Sequence, residues 1–178
     1  MDLLKLPVGL IILWRTARGI QMTVPKLTTK AACRVAKIDR DRLNEHIAAG
    51  AYDCAPDTIP GRARLFDPND MIGLWLFREL MQDGFDARAA GKIACSVMFA
   101  ARETPSAPAI SYVQDYFIGG RGFAVPFDMV PPPSDWETNL FCPGGTDARK
   151  VTTFNIAKLR KIIAHYTDEE RSIIGEDD

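Results

Sequence analysis

A chain of 178 residues with 47% apolar and 25% charged side chains can build a packed core, which excludes a wholly disordered protein. A formal net charge of -1 excludes nucleic-acid binding driven by overall charge, so any such contact must come from locally placed arginines. The four cysteines, Cys33, Cys54, Cys95 and Cys142, are dispersed, with no C-x-x-C pair and no neighbouring histidine; this argues against a zinc knuckle, and reduced thiols, no metal and no cofactor are expected.

Leu3 to Trp14 is apolar, with Leu10-Ile11-Ile12-Leu13 at its centre, but is about half the ~20 residues that a membrane-spanning helix needs. Thr16-Ala17-Arg18-Gly19-Ile20 is a poor signal-peptide cleavage site. Residues 1–27 therefore read as an extension. Met22, just before Thr23-Val24-Pro25, is a candidate native start, the alternative being an amphipathic arm used in packing.

From Thr28 the punctuation becomes regular. Thr28 or Thr29 caps a first helix over Lys30 to Ala36, and Asp39 caps a second over Arg40 to Ala49, closed by Gly50. Ala31, Ala32, Cys33 and Val35 suit a helix crossed at close range. In the second helix Leu43 and Ile47, four apart, define the buried stripe, with His46 at its edge as a packing residue. Turning about 100° per residue sets Asp41, Asn44, Glu45 and Ala48 opposite that stripe, with Arg42 on its flank and Arg40 near the helix start. Asn pairs with adenine, Arg with guanine, and Asp or Glu accepts from cytosine, so this face is chemically able to read bases, with Arg40 placed for a phosphate. The alternative is a solvated face whose charges pair among themselves.

After a loop with Pro56, Pro60 and Gly61 comes Arg62-Ala63-Arg64-Leu65-Phe66, where alternation is expected to put Arg62 and Arg64 on one face able to straddle phosphates, or on an ordinary surface strand. Asp67-Pro68 opens a third helix that stops at Gly84. Its Met71, Ile72, Leu74, Trp75, Leu76, Phe77, Leu80 and Met81 cover most of the circumference, so it is expected to be buried on several sides. Asp86 caps a fourth helix, Ala87 to Arg102, with Arg88 and Lys92 on its exposed side. Helix, turn, helix, Gly-Arg loop and two further helices is the order of a winged DNA reader.

The stretch from Thr28 to Val97 resembles the DNA-binding domain of the MerR family. The resemblance rests on Ile38-Asp39 before the second helix, Leu43 within it, Gly50 closing it, Arg64-Leu65-Phe66, Asp70-Met71 and Gly84-Phe85-Asp86. It covers about 70 residues, and it implies contact by Arg42 and Asn44 in the major groove and by Arg64 on the backbone. Where the family carries arginine and two aromatics, this chain has Asn44, Glu45 and His46, so the winged proteins of excisionase type remain an alternative kinship.

Beyond the fourth helix, Pro105 and Pro108 stop any continuation into a long coiled-coil helix. Ile110 to Ile118 and Phe123 to Val130 read as a β-hairpin around Gly119-Gly120-Arg121-Gly122. Pro131-Pro132-Pro133 is a stiff connector, Ser134 to Lys150 a loop, and Val151 to Phe154 a strand. A last helix, about Ile156 to Tyr166, sets Leu159, Ile162, Ile163 and Tyr166 on one stripe that needs a mate, on its own domain or across a two-fold axis; a dimer contact is the expectation, since palindromic DNA needs two copies. The tail from Gly175 is acidic and expected to fray.

The expectation is thus an α+β protein with an extension (1–27), a winged helix-turn-helix domain (28–104) and a β-hairpin-plus-helix region for dimerisation or sensing (105–178). It would be a homodimeric, cytoplasmic, nucleoid-associated regulator of transcription binding double-stranded DNA through Arg40, Asp41, Arg42, Asn44, Glu45, Arg62 and Arg64. The alternatives are a DNA-bending factor of a mobile element, and an interaction or ligand-binding module that no longer reads DNA. His46 and His165 stand in separate contexts without a nucleophile elbow, so an enzyme is not expected.

Overall fold

The computed structural model describes residues 26–58, 61–115, 122–137, 142 and 147–174. The features expected at residues 1–25, at Arg121 and at the acidic tail lie outside them. The element order is β1 (Leu27–Thr28), α1 (Thr29–Ala36), α2 (Arg40–Ala48), β2 (Leu65–Phe66), α3 (Pro68–Gln82), α4 (Ala87–Glu103), β3 (Ile110–Asp115), β4 (Gly122–Pro126), β5 (Ala148–Phe154) and α5 (Ile156–Ile174), with 3-10 turns at Phe127–Met129 and Pro133–Asp135. The fold is α+β. No helix among the described residues is long and apolar enough to cross a membrane.

The helices begin where short polar side chains accept orphan backbone N–H groups. Thr28 accepts from Ala31, Asp39 from Asp41 and Arg42, Asp67 from Asn69 and Asp70, and Asp86 from Arg88 and Ala89. At α3 the cap is reciprocal: Asp67 accepts from the Asp70 N–H while the Asp70 carboxylate accepts from the Asp67 N–H at 2.8 Å. Arg102, at the far end of α4, donates from one Nη2 to Asp70 at 2.6 Å and to Asp67 at 3.2 Å. A local capping box is thereby made into a tertiary clamp between the start of α3 and the end of α4. Burial pushes the Asp70 carboxyl above its usual range, against the opposing pull of the Asp67 N–H and the Arg102 guanidinium.

α3 lies along α4, and α4 in turn covers β3 and β4. The sheet is antiparallel in the order β4-β3-β5, with Ile110 opposite Pro126 on one side and Phe154 on the other. Alternation splits the central strand: Ile110 and Tyr112 join the main core, while Val113 joins a second cluster with Cys142 and Ala148, backed by Trp136 and Val151. The expected hairpin pairs β3 with β4. The third strand is longer than expected, because Lys150 and Ala148 extend the pairing along β3 to Gln114 and Asp115, with the register shifting at Arg149 between them.

The main core runs from Leu27 through α3 and α4 to Ile110, Ile156 and Ile163, so residues on both sides of position 104 share one interior. Arg160 helps to seal that join. Its guanidinium donates to the carbonyls of Pro105 at 2.7 Å, Ala101 at 3.0 Å and Ala107 at 3.4 Å, a cation on the open C-terminal end of α4.

The expected set of reduced thiols is corrected by the structure: Cys54 and Cys95, 41 residues apart, form a disulfide. The segment after α2 folds back onto α4 at Gly91, where a Cβ would overlap the carbonyl oxygen of Ala51. That approach carries Cys54 to Cys95, one turn further along α4. Tyr52, fully buried, fills the space between them and α3, its ring 4.8 Å from that of Phe77.

Gly91→Ala should therefore force the Ala51 carbonyl away from α4 and cost about 1–3 kcal/mol in denaturant unfolding, as overpacking does. Arg102→Ala leaves the Asp70 carboxylate, only 9% exposed, without its cation. Because Arg102 itself is 39% exposed, the loss should be on the order of 1–3 kcal/mol, below that of a fully buried pair. The Asp70 carboxyl is raised, so the folded state holds its proton more tightly than the unfolded chain; the deficit should shrink as pH falls and Asp70 protonates, which urea titrations near pH 7 and pH 4 will read.

Candidate nucleic-acid interface

α1 and α2 meet through a tight turn. Lys37 adopts the left-handed conformation at φ 56°, its N–H returns to Arg34 at 3.1 Å, and the Ile38 N–H to Cys33 at 3.0 Å. Asp39 then starts α2. Within α2 only Leu43 is fully buried, with His46 and Ile47 half-buried. The His46 ring meets the Phe77 ring edge-on at 5.3 Å, so it packs as expected. α2 is therefore held along one stripe, and Arg40, Asp41, Arg42, Asn44, Glu45 and Ala48 are exposed.

The charges on that face pair locally. Arg42 donates to Glu45 at 3.1 Å, with the two side chains 73% and 63% exposed, and Arg40 lies 3.4 Å from Asp41. Such solvated pairs are worth little and open readily for a stronger anion. The face thus carries two arginines, an amide and two carboxylates, without a net cationic patch.

Residues 61–66 lie beside α1. β1 and β2 form a two-residue antiparallel ribbon, Leu27 opposite Phe66 and Thr28 opposite Leu65, and the Thr29 hydroxyl donates to the Arg64 carbonyl at 3.4 Å. Phe66 is buried and Leu65 is 46% exposed. The strand expected over the two arginines is shorter in the structure, covering Leu65–Phe66. Residues 62–64 precede the strand as irregular chain, leaving Arg62 exposed and Arg64 half-buried. Among the described residues, the buried Nε of Arg64 has no acceptor.

The apolar stripe of α5 finds its mate inside the chain. Leu159 and Ile163 are buried in the main core, and Ile162 and Tyr166 pack against it. Tyr166 stacks on Trp75 at 5.6 Å, Lys37 donates to its hydroxyl at 3.0 Å, and Arg34 pairs with the buried Glu170, beyond the expected helix end. The expected dimer contact is corrected accordingly: a longer α5 folds over α1 and α3, which buries Leu159 and Ile163 and half-buries Ile162 and Tyr166.

Burial pushes the Cys33 thiol up to about 11, and Cys142 is raised by burial and by the carboxylates of Asp115 and Asp147, so neither supplies a reactive thiolate at neutral pH. Asp53, Cys54 and Cys95 bring three potential ligand atoms together, but the disulfide engages both sulfurs. The contacts that sequence reasoning missed, Thr29 to Arg64, Arg160 to carbonyls at and just beyond the end of α4, and Cys54 to Cys95, join positions far apart in the chain. Only the even number of cysteines offered a signal, and it does not specify a pairing.

Ile163→Ala should thus lower stability by about 2–5 kcal/mol as a core truncation. The mass in sedimentation should be the same for wild type and variant, whereas it would fall in the variant if the stripe bound a second copy. No protein-family model matches the chain, and no curated protein matches it.

Proposed function

We propose that α1, the Lys37 turn, α2 and the β1–β2 ribbon form a winged helix-turn-helix that binds duplex DNA, and that the protein is a sequence-specific regulator of transcription. The observation that carries this reading is the weak anchoring of α2: one buried leucine and two half-buried neighbours hold it, while Arg40, Arg42 and Asn44 project into solvent. A helix presented in this way fits a major groove, with Asn44 and Arg42 toward base edges and Arg40 toward a phosphate. Arg62, exposed on the adjoining segment, supplies a further donor for phosphate oxygens, with the half-buried Arg64 two positions on.

A mixed charge on α2 makes the affinity depend on these few arginines. Reading a palindrome would use two copies joined through a surface other than the α5 stripe. No catalytic step belongs to this reading. The DNA-bending role shares the same contacts and differs in outcome, since side-by-side copies on repeated sites would bend the duplex. The Arg42–Glu45 and Arg40–Asp41 pairs favour a second reading, in which the same face binds a protein and no duplex.

Fluorescence anisotropy with a random duplex at roughly 50 and 200 mM salt separates the two classes. For the regulator, binding falls steeply with salt, and Arg62→Ala combined with Arg64→Ala lowers the salt slope by about one for each phosphate that the variant no longer neutralises. Asn44→Ala relaxes preference at one base position by on the order of 1–3 kcal/mol in a selected-site profile. Absence of binding by micromolar protein at ~50 mM salt would transfer the face to the protein-binding reading.

A further inference from the structure

We propose that the Cys54–Cys95 pair is a thiol-exchange site for small anionic thiols of the glutathione class, and that its reduction releases the segment after α2 and changes how α2 engages duplex DNA. The second clause rests on the reading of α2 given above. The first stands on the disulfide and its surroundings alone.

The segment that follows α2 is attached to α4 at two points four residues apart, the backbone contact at Gly91 and the covalent bond at Cys95. Beyond Tyr52 the chain emerges: Asp53 is exposed, Cys54 to Pro56 are half-buried, and Asp57 and Thr58 are exposed. The disulfide is therefore the outer attachment of a segment that otherwise turns to solvent. An open surface groove of about 480 Å³ reaches Cys95, and Asp53, Arg88, Lys92 and Phe99 also line it. Arg88 and Lys92 precede Cys95 on α4 by seven and three positions, on the same helix side. Cations lining the groove that reaches Cys95 attract an anionic thiol to it, with the Asp53 carboxylate opposing.

The exchange balances without another reactant. A thiolate RS⁻ attacks the sulfur of Cys54, forming the RS–Cys54 bond and breaking the Cys54–Cys95 bond, whose electron pair leaves on Cys95 as thiolate. A second RS⁻ attacks the sulfur of RS on Cys54, releasing RSSR and the Cys54 thiolate. Two protons return to the two cysteines, so two thiols are oxidised and one disulfide is reduced. The reverse reaction uses RSSR as the oxidant. Cys33 and Cys142 do not compete, because both are buried and held as thiols.

The consequence for α2 follows from what lies between. The N–H groups of Ala51 and Tyr52 both donate to the carbonyl of His46 on α2, at 2.8 and 3.3 Å. The Tyr52 ring packs on Phe77, which also meets the His46 ring. The Tyr52 hydroxyl is buried with no partner among the described residues, so a small opening that admits water favours its exposure. A chain freed at Cys54 is held at this point by those two hydrogen bonds and by packing, and the C-terminal turn of α2 shares both.

The test uses the full chain, poised with reduced or oxidised glutathione, and reads two quantities: amide exchange across residues 51–58 and anisotropy with a random duplex. Reduction should speed exchange in that segment by about tenfold or more and shift duplex affinity by about threefold or more, with oxidised glutathione reversing both. Cys54→Ser should behave as the reduced protein in either buffer, whereas Cys33→Ser should keep the full response. Exchange that is equal in the two redox states of the wild-type chain would overturn the proposal, whatever the duplex does. An exchange response with equal duplex binding in both states would overturn the link to α2. An exchange response with no duplex binding in either state would support the exchange site and overturn the DNA reading.

Discussion

At Gly91 the backbone of α4 meets the carbonyl of Ala51 with no room for a side chain, and much of the surrounding structure depends on that contact. Because the segment after α2 lies flat on α4, Tyr52 drops between α4 and α3 and reaches Phe77, and Phe77 supports His46 on α2. The same approach brings Cys54 to Cys95. A helix that would otherwise rest on Leu43 and a few half-buried neighbours thus gains its lower support from a loop. The mutual position of α2 and α3 is decided by a glycine that lies in neither.

Charged side chains complete the assembly at the ends of elements, where backbone groups are left without helical partners. Arg102 reaches from the end of α4 to the capping carboxylates of α3, Arg160 covers the carbonyls at the end of α4, and Arg34 holds Glu170 on the last turns of α5. Each joins a residue of one helix to a terminus or buried acid of another. Arg102 ties α4 to α3, Arg160 ties α5 to the end of α4, and Arg34 ties α5 to α1, so that the second half of the chain becomes part of the first half's core.

The surface left outside that core is of a different kind. The outward face of α2 and the segment at Arg62 carry few charges, mixed in sign and paired only in solvent. Such a face has little long-range field and gains affinity through contacts made at close range, where an exposed pair opens at small cost. The covalent tether at Cys54 lies next to the one support of α2 that is a loop, which is the element easiest to release.

Much of the helical architecture is legible in the order of residues. Thr28, Asp39, Asp67-Pro68 and Asp86 mark helix starts because capping is a local interaction between a side chain and the N–H groups two or three residues on. The nearly continuous apolar circumference of α3 and the alternation in β3 likewise report burial through local periodicity. The exposed set on α2 is legible for the same reason, since Leu43 and Ile47 orient the helix. What only the tertiary structure decided are the contacts between distant positions: the seat of Ala51 on Gly91, the disulfide, the three arginine locks, and the choice of α1 and α3 over a second copy as the mate of α5. Local chemistry determines where a helix begins and which side it buries, but a glycine, a cysteine or an arginine carries no record of its distant partner until folding has brought the two together.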